Sequence, residues 1–170
     1  MKLLVTGAPH VGKSTLLKKV VHVVENRHGF ITNEVTEHGQ RTGFELCSSL
    51  GDITLLASVN SASPIRVSRY GVQVDALNDF IARLPEPSDK DLIYIDEIGQ
   101  MELFSGHFKE LVRKYLDSSN PFLGTLTTVY EDEFTAELLA RPDITVLRIT
   151  EQNRDALAAE IIGEVAKYVH

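Results

Sequence analysis

Apolar residues along this chain fall into short runs and helical stripes, and the period of the pattern changes along the chain. The segment "KLLVT" (2–6) reads as a short buried strand. Leu16, Leu17, Val20, Val21 and Val24 then recur at helical spacing, and the stripe stops at "NRHG", where Gly29 is placed to cap the helix. From Phe30 the pattern turns β-rich: "FITNEV", "RTGFELC" and "ITLLA" are separated by the turn signals "EHGQ" and "LGD", as expected of an antiparallel meander. Residues 58–70 carry little regular pattern, and Pro64 interrupts what there is. A loop of that length is often functional.

The segment "GVQVD" resumes as a strand and leads into a helix with Leu77, Phe80, Ile81 and Leu84 on one face. After the polar "PEPSDKD" comes a strand, "LIYID", then a helix starting near Ser105. The strand "FLGTLT", a helix around Phe134 to Leu139, the strand "ITVLRI" and a last helix with Leu157, Ile161, Ile162, Val165 and Val169 complete the chain. Strands alternating with helices predict an α/β fold, a mostly parallel sheet with helices on both faces and the meander inserted in it. No repeat or linker divides residues 1–170, so one domain is expected.

Composition narrows the function classes. With 17 Lys+Arg against 24 Asp+Glu the net charge is −7, and the basic residues are scattered, which argues against a nucleic-acid binder. No apolar run approaches membrane-spanning length, and the lone Cys47 suits a reducing compartment, where it reads as a buried small hydrophobe. A soluble, cytoplasmic monomer is the expectation.

The chemistry is concentrated in "VTGAPHVGKSTLLKKV". Gly7, Gly12, Lys13 and Ser14 satisfy G-x-x-x-x-G-K-[ST] between an expected strand and an expected helix. In that setting Gly7, Ala8, Pro9, His10, Val11, Gly12, Lys13, Ser14 and Thr15 form a loop whose N–H groups cradle a phosphate chain. Lys13 reaches the β- and γ-phosphates, and the Ser14 hydroxyl ligates Mg²⁺. His10 points more simply to solvent than to phosphate. "LIYIDEIG" supplies two acids at a strand's C-terminal end: Asp96 to hold the Mg²⁺ and Glu97 to orient or deprotonate an attacking water. A solvated loop acid is the alternative for each, and the "DE" pair favours hydrolysis over transfer to another acceptor.

Arg41, Arg66, Arg69 and Arg154 are candidates to meet charge developing on the γ-phosphoryl group; Arg69 ranks first, with a surface arginine paired to an acid as the plainer alternative. Thr127 or Thr128 could sense the same phosphate from the end of a strand, although a β-branched strand residue explains either more simply. In "TEQNRD", Asn153 and Arg154 are placed to contact a base, Thr150 to cap the last helix, and no N-K-x-D guanine signature occurs.

These motifs lie in a longer ordered set: "GAPHVGKSTL", "GFITNEVTEHGQRTGFEL", "SRYGVQV", "IDEIGQMELFSGHF" and "RITEQNRD". Nearly the full chain resembles the small P-loop nucleoside-triphosphatases related to the human cancer-related nucleoside-triphosphatase and its archaeal and bacterial thermophile counterparts. The resemblance implies a RecA-like α/β sheet and Mg²⁺-dependent hydrolysis of nucleoside triphosphates to diphosphates with broad base tolerance. Two positions depart from the family pattern: His10 stands where glycine is common, and Thr36 where an "EVR" motif would have arginine. A nucleotide or nucleoside phosphotransferase, and a nucleotide-gated RNA- or protein-binding module, are the competing readings.

Overall fold

The computed structural model describes residues 1–169. Strand β1 (Lys2–Thr6) is buried through its three central residues, and α1 (Lys13–Val23) follows. Gly12, at φ 113°, makes the left-handed turn that enters the helix. The helix ends earlier than the apolar stripe suggests: Val24 is already extended, in a β-branched run that favours strand over helix.

Gly29 therefore does not cap α1. It lies inside β2 (Arg27–Glu37), which pairs in parallel with β7 (Leu92–Ile98). A Cβ on Gly29 would stand 1.9 Å from the Tyr94 carbonyl oxygen, so glycine permits the two strands to approach here.

The meander is as expected in kind. Strands β2, β3 (Gln40–Ser48) and β4 (Ile53–Ser58) run antiparallel, and the first turn places His38 and Gly39 at positive φ, the geometry of a tight two-residue hairpin. Residues 58–70 are more ordered than their pattern suggests: they contain β5 (Arg66–Val67), which pairs with β6 (Tyr70–Val72). Helix α2 (Val74–Arg83) follows. Helix α3 (Gly106–Asp117) is capped by the Ser105 hydroxyl, which accepts from the Phe108 amide at 3.0 Å, and is preceded by a short 3₁₀ turn, Glu102–Phe104. Strand β8 (Phe122–Leu126), α4 (Glu133–Ala140), β9 (Thr145–Arg148) and α5 (Arg154–Val165) complete the described chain. Val169 lies beyond the last helix.

Among the described residues nine strands form one sheet in the order β5-β6-β4-β3-β2-β7-β8-β1-β9. The half from β2 to β9 is parallel and the half from β2 to β5 is antiparallel. Two apolar layers sandwich it. Leu16, Leu17 and Val20 of α1 pack with Leu157, Ile161 and Val165 of α5 on one face. On the other, Leu77 and Phe80 of α2 join Phe108 and Val112 of α3 and Phe134 and Leu138 of α4. Phe30 meets Phe80 and Phe108 edge to face there, at centroid distances of 5.3 and 6.2 Å. Because β1, β7 and β8 are parallel neighbours, their carboxyl ends open at one edge, where ligands collect in sheets of this kind. Among the described residues no helix is long and apolar enough to cross a membrane.

Candidate functional site

The loop from Gly7 to Gly12 joins the end of β1 to α1. Gly7 is dictated by crowding: a Cβ there would lie 2.7 Å from the Ile149 carbonyl oxygen. Lys13 is buried and folds back over the loop, donating from Nζ to the carbonyls of Gly7 at 2.9 Å and Ala8 at 3.1 Å. Thr128 holds the same loop from below, its hydroxyl donating to Gly7 O at 3.0 Å. His10 is exposed, at φ 63°, on the rim.

Asp96 and Glu97 sit where β7 and β8 fall out of register, between Ile95 and Ile98, and the peptide bond joining them is cis. In the sheet β8 lies between β7 and β1, and Thr125 of β8 fills the gap: its hydroxyl donates to Asp96 Oδ1 at 2.5 Å. Asp96 Oδ2 is buried with no hydrogen-bond partner. Burial raises the Asp96 pKa, opposed by the Thr125 and nearby Ser14 hydroxyls and by Lys18 and Lys13. A buried carboxylate oxygen left without a donor, next to a hydroxyl and two ammonium groups, fits a cation ligand. Among the described residues no group of three or more His, Cys, Asp or Glu could hold a metal ion.

Glu97 is pushed above the usual carboxylate range by burial, then by the charge of Asp96, while Lys13 pulls it down. A second acid accompanies it. Glu102 is buried in the 3₁₀ turn, accepts from the Thr32 hydroxyl at 3.1 Å, and has its pKa pushed up to about 8 by burial and then by Glu97. Both carboxylates converge on Gly99, where a Cβ would meet Glu97 Oε1 at 2.8 Å and Glu102 Oε2 at 3.1 Å. That convergence explains the glycine of "DEIGQME".

Lys13, Ser14, Asp96 and Glu97 line one cleft of about 900 Å³, together with Pro9, His10, Gly12, Thr15 and Thr127 of the expected set. Of the arginines, Arg41 lines it and Arg69 does not. Arg69 donates from Nη2 to Arg41 O at 2.6 Å and to the Tyr70 hydroxyl at 3.3 Å. Arg66 bonds the carbonyls of Ser61 and Arg69. Arg154 lies on the other side of the loop, its Cδ 3.7 Å from where a Gly12 Cβ would be, lining a smaller cavity of about 300 Å³ with Thr15, Lys19 and Asp155.

Asn153 is engaged in the turn before α5, accepting from Thr150 N at 2.7 Å and donating to Arg148 O at 2.9 Å. Thr150 is not the helix cap: the helix starts at Arg154 after Asn153, and the Thr150 hydroxyl instead accepts from Asn153 N at 3.2 Å, one turn earlier. Cys47 is half-buried rather than buried. Thr125, Glu102, Thr32 and Lys18 join the site without having been singled out. Glu102 was visible as an acid between the apolar Met101 and Leu103 and as part of the run "IDEIGQMELFSGHF", with no role attached to it; Thr125 carried no signal.

A family model described as NTPase matches residues 2–162. The nucleoside-triphosphatase THEP1 of Thermotoga sp. (strain RQ2) is 40% identical over 165 residues, spanning 96% of this chain and 94% of that one. The THEP1 of Thermofilum pendens is 36% identical over 177 residues, with coverage of 98% and 96%. The crystal structure of THEP1 from Aquifex aeolicus matches the fold with a TM-score of 0.82 at 32% identity, over 97% of this chain and 99% of that one. The solution structure of a human cancer-related nucleoside triphosphatase also gives 0.82, at 30% identity and 99% coverage of both. With a phosphate loop, two acids at the facing strand end and likeness over nearly its whole length, the chain belongs to the THEP1 family of P-loop nucleoside-triphosphatases.

Proposed function

We propose that the enzyme hydrolyses nucleoside 5′-triphosphates to the diphosphate and phosphate in a Mg²⁺-dependent reaction that tolerates different bases. The observation that carries the Mg²⁺ requirement is the buried, partnerless Oδ2 of Asp96. Ser14 and Asp96 are the residues that would hold the ion. When bound, Mg²⁺ neutralises charge on the β- and γ-phosphoryl oxygens.

The chain's own groups do the rest. Lys13 exchanges its bonds to the Gly7 and Ala8 carbonyls for the phosphate oxygens, and the loop N–H groups and the start of α1 hold the chain of phosphates. Glu97 orients a water and takes its proton as the water oxygen bonds to the γ-phosphorus and the bond to the β-phosphate oxygen breaks. Base tolerance follows from Asn153 being engaged by its own turn, which leaves the planar Arg154 fork beside Gly12 to stack on a base without reading its edge. Arg69, turned toward Arg41 and Tyr70, has no part in this scheme.

We read residues 1–170 as one domain acting as a cytosolic monomer, on the continuous sheet and the single, half-buried cysteine. Phosphate release from ATP, GTP, CTP and UTP, each with Mg²⁺ or EDTA, tests the central reading. Turnover of all four that EDTA abolishes is expected; activity restricted to one base, or persisting in EDTA, would overturn the corresponding half.

A further inference from the structure

The two cavities flank the phosphate loop, and they differ in what they can hold. The smaller, beside Arg154, lies on the α1 and α5 side and suits the nucleoside. The larger receives the phosphate end, yet about 900 Å³ is the size of a pocket for a whole small molecule, far beyond one phosphoryl group and a water. The excess volume extends over β2 and β3, between Thr32, Glu34, Arg41, Phe44 and Val67.

Strand register places that far wall. Ile31 pairs with Asp96 and Glu34 pairs with Phe44, so the Glu34 level lies three residues further along β2, about 10 Å at roughly 3.3 Å per residue. The Arg41 guanidinium is held at that level, with Nη1 2.9 Å from Glu34 Oε1 and its centre 5.1 Å from the Phe44 ring centroid. Its partners are Glu34, Phe44 and Tyr70, and among the described residues it makes no hydrogen bond to Lys13, Ser14, Asp96 or Glu97, so its placement is not explained by the phosphate loop.

Arg41 is nonetheless elaborately fixed. Nε donates to the Tyr70 hydroxyl at 2.9 Å, the guanidinium also lies 5.7 Å from the Tyr70 ring centroid, and Arg69 anchors both the Arg41 carbonyl and the Tyr70 hydroxyl. Nη2 has no hydrogen-bond partner among the described residues. The pair with Glu34 is part-exposed, hence weak enough for an incoming anion to displace. A preorganised guanidinium with a free donor edge matches a phosphate monoester.

We infer that the far half of the cleft is an acceptor subsite for a small phosphorylated alcohol of about mononucleotide size, its phosphate on Arg41 and its hydroxyl at Glu97. The enzyme then transfers the γ-phosphoryl group to that alcohol as well as to water. This rests on the roles assigned above to Lys13 and Glu97. The acceptor O–H proton passes to the Glu97 carboxylate, the acceptor oxygen bonds to the γ-phosphorus, and the bond to the β-phosphate oxygen breaks. The nucleoside diphosphate leaves with that electron pair, and nothing is oxidised or reduced. Arg69 and Tyr70 are positioning residues, acting through Arg41.

The test incubates the enzyme and Mg²⁺ with γ-labelled ATP and one acceptor at a time. Ribose 5-phosphate and glycerol 3-phosphate form one arm; 3′-AMP and 3′-TMP form the other; ribose, glycerol, adenosine and thymidine are the unphosphorylated controls. A labelled phosphoester is expected from at least one arm, which identifies the acceptor class, at about tenfold or more above its control, the worth of a charged hydrogen bond. Arg41→Ala should lower transfer by a similar factor while phosphate release to water stays within about twofold of wild type. Absence of any labelled ester beside normal phosphate release overturns the inference and leaves hydrolysis standing, and so does transfer that Arg41→Ala leaves unchanged. Wild-type phosphate release by Glu97→Gln would instead sink the reading on which the inference rests.

Discussion

Thr125 donates its hydroxyl to Oδ1 of Asp96 across the junction of β8 and β7, while Oδ2 of the same carboxylate is, among the described residues, the one buried side-chain oxygen without a partner. The two residues are 29 positions apart in sequence, and the contact exists because β8 is inserted between β1 and β7. Removing the hydroxyl at constant shape should loosen the carboxylate. Thr125→Val is expected to raise the Mg²⁺ concentration for half-maximal activity by roughly 10–100-fold, as loss of a partner orienting a metal ligand commonly does. A titration of activity against Mg²⁺ that superimposes on wild type would show that Thr125 does not orient the acid.

Lys13 Nζ donates to the Gly7 and Ala8 carbonyls and lines the same cleft as Asp96 and Glu97. Lys13→Ala should reduce kcat by about 10²-fold or more and weaken nucleotide binding, because a buried cation at the β- and γ-phosphates is lost. Ser14→Ala should lower turnover chiefly through Mg²⁺. Full activity of Lys13→Ala, measured by phosphate release, would remove the phosphate loop from the mechanism.

Glu97→Gln keeps the shape and hydrogen-bonding capacity of the side chain but not its basicity. Single-turnover phosphate release is expected to slow by about 10²–10⁴-fold, with equilibrium nucleotide binding nearly unchanged. Equal rates would mean that another group, or the substrate's own phosphate, handles the water.

Glu102 makes stability depend on pH. Its pKa is about 8 in the fold against 4.5 for the free side chain, so below pH 4.5 both folded and unfolded forms are protonated and this group opposes nothing. Between pH 4.5 and 8 the unfolded chain releases a proton that the folded one keeps, and stability falls as pH rises through that window. Thr32, Glu97 and Asp96 are the groups acting on it. Glu102→Gln should remove this slope and stabilise the protein near neutral pH by up to about 3 kcal/mol. Urea unfolding at pH 5 and pH 8 for both proteins measures it; an unchanged difference would mean that Glu102 is ionised in the fold.

Gly29→Ala tests the fold rather than the site. The added Cβ would overlap the Tyr94 carbonyl in the β2–β7 ladder, and a loss of at least about 2 kcal/mol is expected. Wild-type urea stability would show that the strands can separate there at little cost.

Local patterns determined much of this protein from its sequence alone. A strand, a glycine-bounded loop and a helix are consecutive in the chain, so the phosphate loop from Gly7 to Thr15 and the acids ending "LIYID" could be read without knowing what they would face. The hairpin at His38 and Gly39 was equally legible, because a two-residue turn imposes its own backbone geometry. Tertiary structure decided what depends on strands distant in sequence. Gly29 marks a close approach to Tyr94 rather than a helix end, since pairing with β7 draws β2 back to Arg27. Thr125 reaches Asp96 only through the strand order, and Glu102 meets Glu97 only through the turn after β7. The arginines were indistinguishable as letters. Register on β2 and β3 turned Arg41 into the cleft and tied Arg69 behind it, because a side chain's direction in a sheet is set by its partners across the ladder and not by its neighbours in the chain.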